Sequence, residues 1–221
     1  MTPLVVLAVG GFAAAAISLV LRARTKRAAA VQAAAARLGW SYRDTVPFGT
    51  IPDLDRFELF TQGRRRRLSN VMTSPDGPVR AVVFDYSYTT GGGNSQRRHN
   101  QTVFYGVSDE LNLPTFSLRP ERFFHSIAKA FGYQDIDLER RPLFSEMFVL
   151  RGADEPALRT TFTAPVAEFF ESREGVCAAG IGREVLYWRP RKHTAPDELG
   201  TLIEDGYELV RRFTAPDGRT M

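Results

Sequence analysis

The residues best suited to chemistry are arginines. Arg64, Arg65, Arg66 and Arg67 stand in one run, and Arg97, Arg98 and His99 follow a Gly-rich stretch, Gly91-Gly92-Gly93-Asn94-Ser95. A guanidinium carries five donors in a fixed fork that matches the oxygens of phosphate and carboxylate two at a time. The chemistry this points to is docking on an anionic group, with lipid headgroups worth roughly 1 kcal/mol per basic residue near a charged surface. The competing reading is a solvated strand end whose arginines pair with the chain's own acids.

Other chemistry is thinly represented. His99, His125 and His193 each stand alone, without the spacing of a metal-binding pair. The lone Cys177 makes neither an internal disulfide nor a zinc site, and its small neighbours suit a buried thiol. Asp135, Asp137 and Glu139 alternate along a possible strand, which suits a solvated face better than a cation site. Gly91-Gly92-Gly93 lacks the Lys-Ser/Thr ending of a phosphate loop, and Gly180-Ile181-Gly182 leads into a strand rather than a helix. No cofactor or metal is expected. Asp85, among apolar strand residues, either pairs inward with an arginine or faces solvent. Asp85, His99 and His125 are the candidates should an active site assemble from distant residues, but no acid–base pair is named by spacing, and the chain reads as non-enzymatic.

The elements that position the arginine cluster follow from turn residues and hydrophobic period. Arg65–Thr73 and Val79–Thr89 read as strands joined by the turn Ser74-Pro75-Asp76-Gly77-Pro78. Arg98–Val107 returns after the Gly-rich loop, and Thr115–Leu118 is a further short strand. This meander predicts an antiparallel sheet, and it gathers Arg64–Arg67 and Arg97–His99 at one end. Residues 39–57 read as irregular, Phe57–Thr61 as a short strand, and Phe144–Leu150 as a strand. A helix is expected over 120–132, two short helices over 154–172, and a hairpin over 176–189. The clearest element is a final helix, with Thr194 and Asp197 as its capping pair and Leu199, Leu202, Ile203, Leu209, Val210 and Phe213 on one face.

At the other end of the chain, Leu4–Leu21 holds no charged residue and is followed by Arg22, Arg24, Lys26 and Arg27. At about 1.5 Å per residue such a helix spans about 27 Å, close to a hydrocarbon core of roughly 30 Å. The basic residues follow the apolar core rather than precede it, which argues for a retained anchor over a cleaved signal. The positive-inside rule then puts the remainder of the chain in the cytoplasm. The expected organisation is a short N-terminus (1–3), a transmembrane helix (4–21), a basic, Ala-rich helical stalk (22–38), one domain (39–214) and a tail (215–221). The fold class is α+β: a single N-terminal transmembrane helix, then a mostly antiparallel sheet packed by two or three helices.

Charge bounds the partners. The chain carries 29 basic and 25 acidic residues, net +4. Residues 1–38 hold five of the basic residues and none of the acids, so the rest of the chain is close to neutral. The basic pI therefore belongs to the anchor region, which argues against nucleic acid. Tyr86, Tyr88, Phe104 and Tyr105 on the same strands suit a core better than a base-stacking platform.

The order Phe84-Asp85-Tyr86-Ser87-Tyr88, a Gly-rich loop, Gln101-Thr102-Val103, then Phe116-Ser117-Leu118-Arg119-Pro120-Glu121, with Gly182–Arg189 before the last helix, resembles bacterial membrane-anchored proteins to which no reaction is attached. The resemblance spans roughly residues 56–213. It implies a domain tethered to the bacterial inner membrane and carries over no catalytic residue. The expected partners are the membrane itself, with an anionic lipid or a protein. Alternatives are an unrecognised membrane-associated enzyme and a structural subunit of a membrane complex, and nothing fixes the oligomeric state.

Overall fold

The computed structural model describes residues 3–122, 135–138 and 140–215, with side chains from residue 18 onward except that of Asn94. The predicted helix over 120–132 and Glu139 fall largely or wholly outside the described residues, as does His125.

Helix α1 (Pro3–Leu38) is continuous through the expected anchor and stalk. It ends where Gly39 takes φ +70°, with Trp40 N–H donating to Ala35 O and Gly39 N–H to Ala36 O, the two bonds of a Schellman cap. Its last turns are part of the domain rather than a free stalk. Val31, Ala34 and Ala35 recur at helical spacing and are buried on the sheet. Trp40 follows them into the same core and meets Tyr207 edge-on. Among the described residues no helix is long and apolar enough to cross a membrane.

Among the described residues eight strands form one sheet, with antiparallel pairing throughout and order β1-β2-β3-β4-β8-β7-β5-β6. The strands are β1 (Ser41–Val46), β2 (Arg64–Thr73), β3 (Val79–Thr90), β4 (Arg97–Ser108), β5 (Leu113–Pro120), β6 (Phe148–Gly152), β7 (Cys177–Gly182) and β8 (Glu184–Trp188). The α+β class and the antiparallel meander are as the sequence predicts.

Three expectations of element type are corrected. Residues 41–46 form an edge strand rather than irregular chain, held by pairing with β2. Residues 58–61 form a single helical turn, α2 (Glu58–Thr61), not a strand. Pro142 opens helix α3 (Pro142–Met147), so the expected strand from Phe144 begins only at Phe148.

The two short helices are α4 (Glu155–Thr161) and α5 (Ala164–Glu171), and the final helix is α6 (Leu199–Thr214). The residue before α6 is Glu198, and no side-chain cap bond forms there. Thr194 does not cap the helix; its amide N–H donates instead to the Thr102 hydroxyl.

Each face of the sheet carries its own core. The end of α1 and helices α3 to α6 cover one face. Residues 46–60, including α2, cover the other with an aromatic cluster of Phe57, Phe60, Phe84 and Tyr86. Helix α6 lies so close to β4 that a Cβ on Gly206 would sit 2.5 Å from the Phe104 ring.

Candidate functional site: an arginine-lined cleft

Strand alternation decides what meets in this site. Phe84, Tyr86 and Tyr88 of β3 point into the aromatic core, so Asp85 and Ser87 point to the face that α1 covers. Register brings Ser69, Asp85 and Thr102 into one row across β2, β3 and β4, and Arg67, Ser87 and Asn100 into the next. A bulge between Ser69 and Met72 puts Asn70 at φ 51°, and its carboxamide reaches Asp85.

Asp85 is the hub. Its side chain is only 4% exposed. The Arg27 guanidinium from α1 binds it in two places, Nε to Oδ2 and Nη2 to Oδ1, both at 2.7 Å. Asn70 Nδ2 donates to Oδ2 at 2.8 Å and the Thr102 hydroxyl to Oδ1 at 2.7 Å. His193 Nδ1 lies 3.1 Å from Oδ1. The remaining guanidinium nitrogen of Arg27 donates to Thr194 O at 3.0 Å. Burial alone would raise the Asp85 pKa. The hydrogen bonds and charges of Arg27 and His193 outweigh it and hold the carboxyl well below the usual carboxylate range. With its oxygens so fully taken, Asp85 pins α1 and the 192–194 segment to the sheet; it is not free to act as a base.

Beside this pair lies an open cleft of about 300 Å³. Its cations are Arg24 from α1, Arg67 from β2 and Arg98 from β4. Arg67 donates to the Thr45 hydroxyl, and Arg98 to Asn100 Oδ1 and to Ser87 Oγ. Among the described residues none of the three arginines has a carboxylate oxygen within 4 Å, although Asp44 lies on the same cleft. Partial burial and the nearby charges of Arg24 and Arg67 lower the pKa of Arg98. Like charges thus crowd a concave site whose floor is polar.

The arginine cluster expected at this end of the sheet is therefore divided. Arg67 and Arg98 join Arg24 and Arg27 of the basic run that follows Leu21. Arg64 donates to Gly91 O, Arg66 donates to Phe60 O and lies over the Phe48 ring, and Arg65 and Arg97 are exposed outside the cleft. Arg22 and Lys26 are exposed on α1. His99 turns to the opposite face, stacked on Tyr88 with ring centroids 4.7 Å apart and its Nε2 2.8 Å from the Thr90 hydroxyl. Asp85 and His99 are thus separated by the sheet and form no acid–base pair.

That opposite face holds a second cleft, of about 350 Å³, lined by Leu59, Tyr88, His99, Gln101, Cys177 and Trp188 among others. Gln101 Nε2 is buried there, with no hydrogen-bond partner among the described residues. Burial pushes the Cys177 thiol up to about 12. Asp135 pairs with Arg151 at 2.6 Å, and among the described residues no three His, Cys, Asp or Glu side chains gather to hold a metal.

Sequence reasoning missed Asn70, Ser87, Asn100 and His193. The available signal was Asp85 itself, since a carboxylate flanked by buried aromatics demands partners on its own pleat.

No protein-family model and no curated protein matches this chain. Among solved structures it is similar to the mycobacterial trehalose monomycolate transport factor A, TtfA, with a TM-score of 0.56 over 85% of this chain and 92% of that one. At 12% identity the likeness is one of fold.

Proposed function

We propose that this chain is a membrane-tethered, non-enzymatic module of the bacterial inner membrane, whose cytoplasmic domain docks an anionic lipid or a protein partner. The observation that carries this reading is the meeting of Arg24, Arg67 and Arg98 in one cleft, without a carboxylate within 4 Å among the described residues, at the root of the helix that begins in Leu4–Leu21. Arg24 follows Leu21 by three residues and Arg27 by six, so the cleft lies about 5–9 Å along the helix from the uncharged segment. Where that segment ends, Leu19 is 72% and Val20 52% exposed, large apolar side chains that the domain itself leaves uncovered. A span over Leu4–Leu21 would cover them with lipid and set the arginines at headgroup level.

The test pairs topology reporters fused after Met221 with vesicle binding by the full chain. A cytoplasmic, membrane-retained signal is expected, with salt-sensitive preference for anionic vesicles. An exterior signal overturns the reading; equal binding to neutral and anionic vesicles removes the lipid arm and leaves a protein as the partner. A second reading, a structural subunit of a membrane complex, draws on the fold shared with a transport factor. It predicts that the tagged chain co-purifies with fixed partners whose capture survives neutralising Arg67 and Arg98.

A further inference from the structure

We infer that the cleft between α1 and the sheet is a binding site for the dianionic phosphate of a monoester. The inference rests on the reading above only for the side of the membrane. Charge carries it first. Four arginines and two aspartates line the cleft, an excess of two positive charges from these residues alone. Arg27 and Asp85 cancel each other as a closed pair, so the excess sits on Arg24, Arg67 and Arg98 against Asp44. A phosphate monoester near neutral pH carries close to two negative charges, a diester only one.

Donor geometry carries it second. The three guanidiniums come from three elements and converge on one concavity, as three anionic oxygens require. Arg98 is already oriented by Asn100 Oδ1 and Ser87 Oγ, both neutral acceptors that steer the fork without neutralising it. Ser87 and Asn100 line the same cleft, and among the described residues neither the Ser87 hydroxyl nor the Asn100 side-chain nitrogen donates to a protein acceptor. Arginine, aspartate, serine and asparagine make up most of the lining, which suits the phosphate itself rather than the body it is attached to.

The chain's own architecture adds a condition. One of the three cations is on α1, and α1 is held to the sheet by Arg27 and Asp85. The site is complete only while that pair is closed, so the helix that tethers the domain also builds its ligand site. Arg27 and Asp85 are positioning residues here and touch no ligand.

The ligand is shared chemistry with two sources, a lipid phosphomonoester or a soluble one, and the experiment separates them. The full chain in detergent or nanodiscs is titrated with glycerol 3-phosphate, with glycerophosphoglycerol as the diester, and with phosphatidylcholine vesicles carrying phosphatidic acid. Saturable binding of the monoester is expected, at least tenfold tighter than the diester. R67Q and R98Q are each expected to weaken it about tenfold or more, the loss of one charge-assisted contact. R97Q, one residue away on the other face, is expected to leave it unchanged, and thermal melts check that all variants fold. Vesicles bound much more tightly than glycerol 3-phosphate support a lipid source; equal affinities support a soluble one. Equal losses in R97Q and R98Q, equal binding of monoester and diester, or no saturable binding would overturn the site. Glycerol 3-phosphate binds from either side, so an exterior topology would defeat the proposed function and leave this result standing.

Discussion

Replacing Asp85 by Asn removes one charge and almost no volume, which makes it a clean test of the helix latch. In the folded chain Arg27 is 20% exposed on its side chain and Asp85 4%, and every nitrogen of the guanidinium is engaged. Asn can still accept at one atom. At the other it turns an amide N–H toward a donor, either Arg27 Nε and Asn70 Nδ2 or Arg27 Nη2 and Thr102 Oγ1. Removing one partner of a buried pair costs about 3–5 kcal/mol. We expect D85N to lose about 4 kcal/mol out of a total of order 5–15. At a urea slope of about 2 kcal/mol per M, the midpoint falls by about 2 M.

The assay is urea unfolding of the full chain in detergent, for wild type, D85N, R27Q and the double variant. The double variant is expected to lose at least about 1.5 kcal/mol less than the two single losses combined, because the second change removes a charge already orphaned. Acid supplies an independent arm. A folded-state pKa held below the unfolded one adds stability that is full above the unfolded value, about 3.9, and is lost as pH falls through the folded value. The gap between wild type and D85N therefore narrows below about pH 4 and is widest near neutrality. Additive single losses within about 0.5 kcal/mol, or a gap that grows on acidification, would refute the reasoning.

Two further outcomes follow from packing. Gly206→Ala would ordinarily steady a helix by about 1 kcal/mol, but here the new Cβ meets the Phe104 ring, so a loss of about 1–3 kcal/mol and a lower melting temperature are expected. Cys177, with its thiol pushed up to about 12 by burial, should react with iodoacetamide at pH 8 about a thousandfold more slowly than a free cysteine, and at the ordinary rate in urea, as read by mass spectrometry.

What could be read from the sequence was local. β2 and β3 declare themselves through alternating apolar residues around Ser74-Pro75-Asp76-Gly77-Pro78, and α6 through the spacing of Leu199, Leu202, Ile203, Leu209 and Val210. β1 was hidden because Ser-Tyr-Arg-Asp-Thr-Val buries only Val46; its strand state comes from backbone pairing with β2, an edge effect invisible in one segment. Phe144 and Phe148 are both buried, one on a helix and one on a strand, and a short apolar run does not tell these apart. The site was half legible. Arg67 and Arg98 were expected at one end of the meander, and Asp85 stood out as a charge needing a partner. That partner is 58 residues away in Arg27, and His193 is 108 residues away. In a chain so rich in arginine, nothing local singles out Arg27.

From Arg22 to Leu38 helix α1 contains neither glycine nor proline, and it closes on the sheet through Arg27 at one point and Val31, Ala34 and Ala35 at another. Two attachments on a hingeless rod remove swivel. The domain is a flag fixed to its pole, not a ball on a string. Tilting or rotating the pole carries the whole sheet with it, so a partner that turns the helix inside its own assembly would re-aim the cleft without touching it.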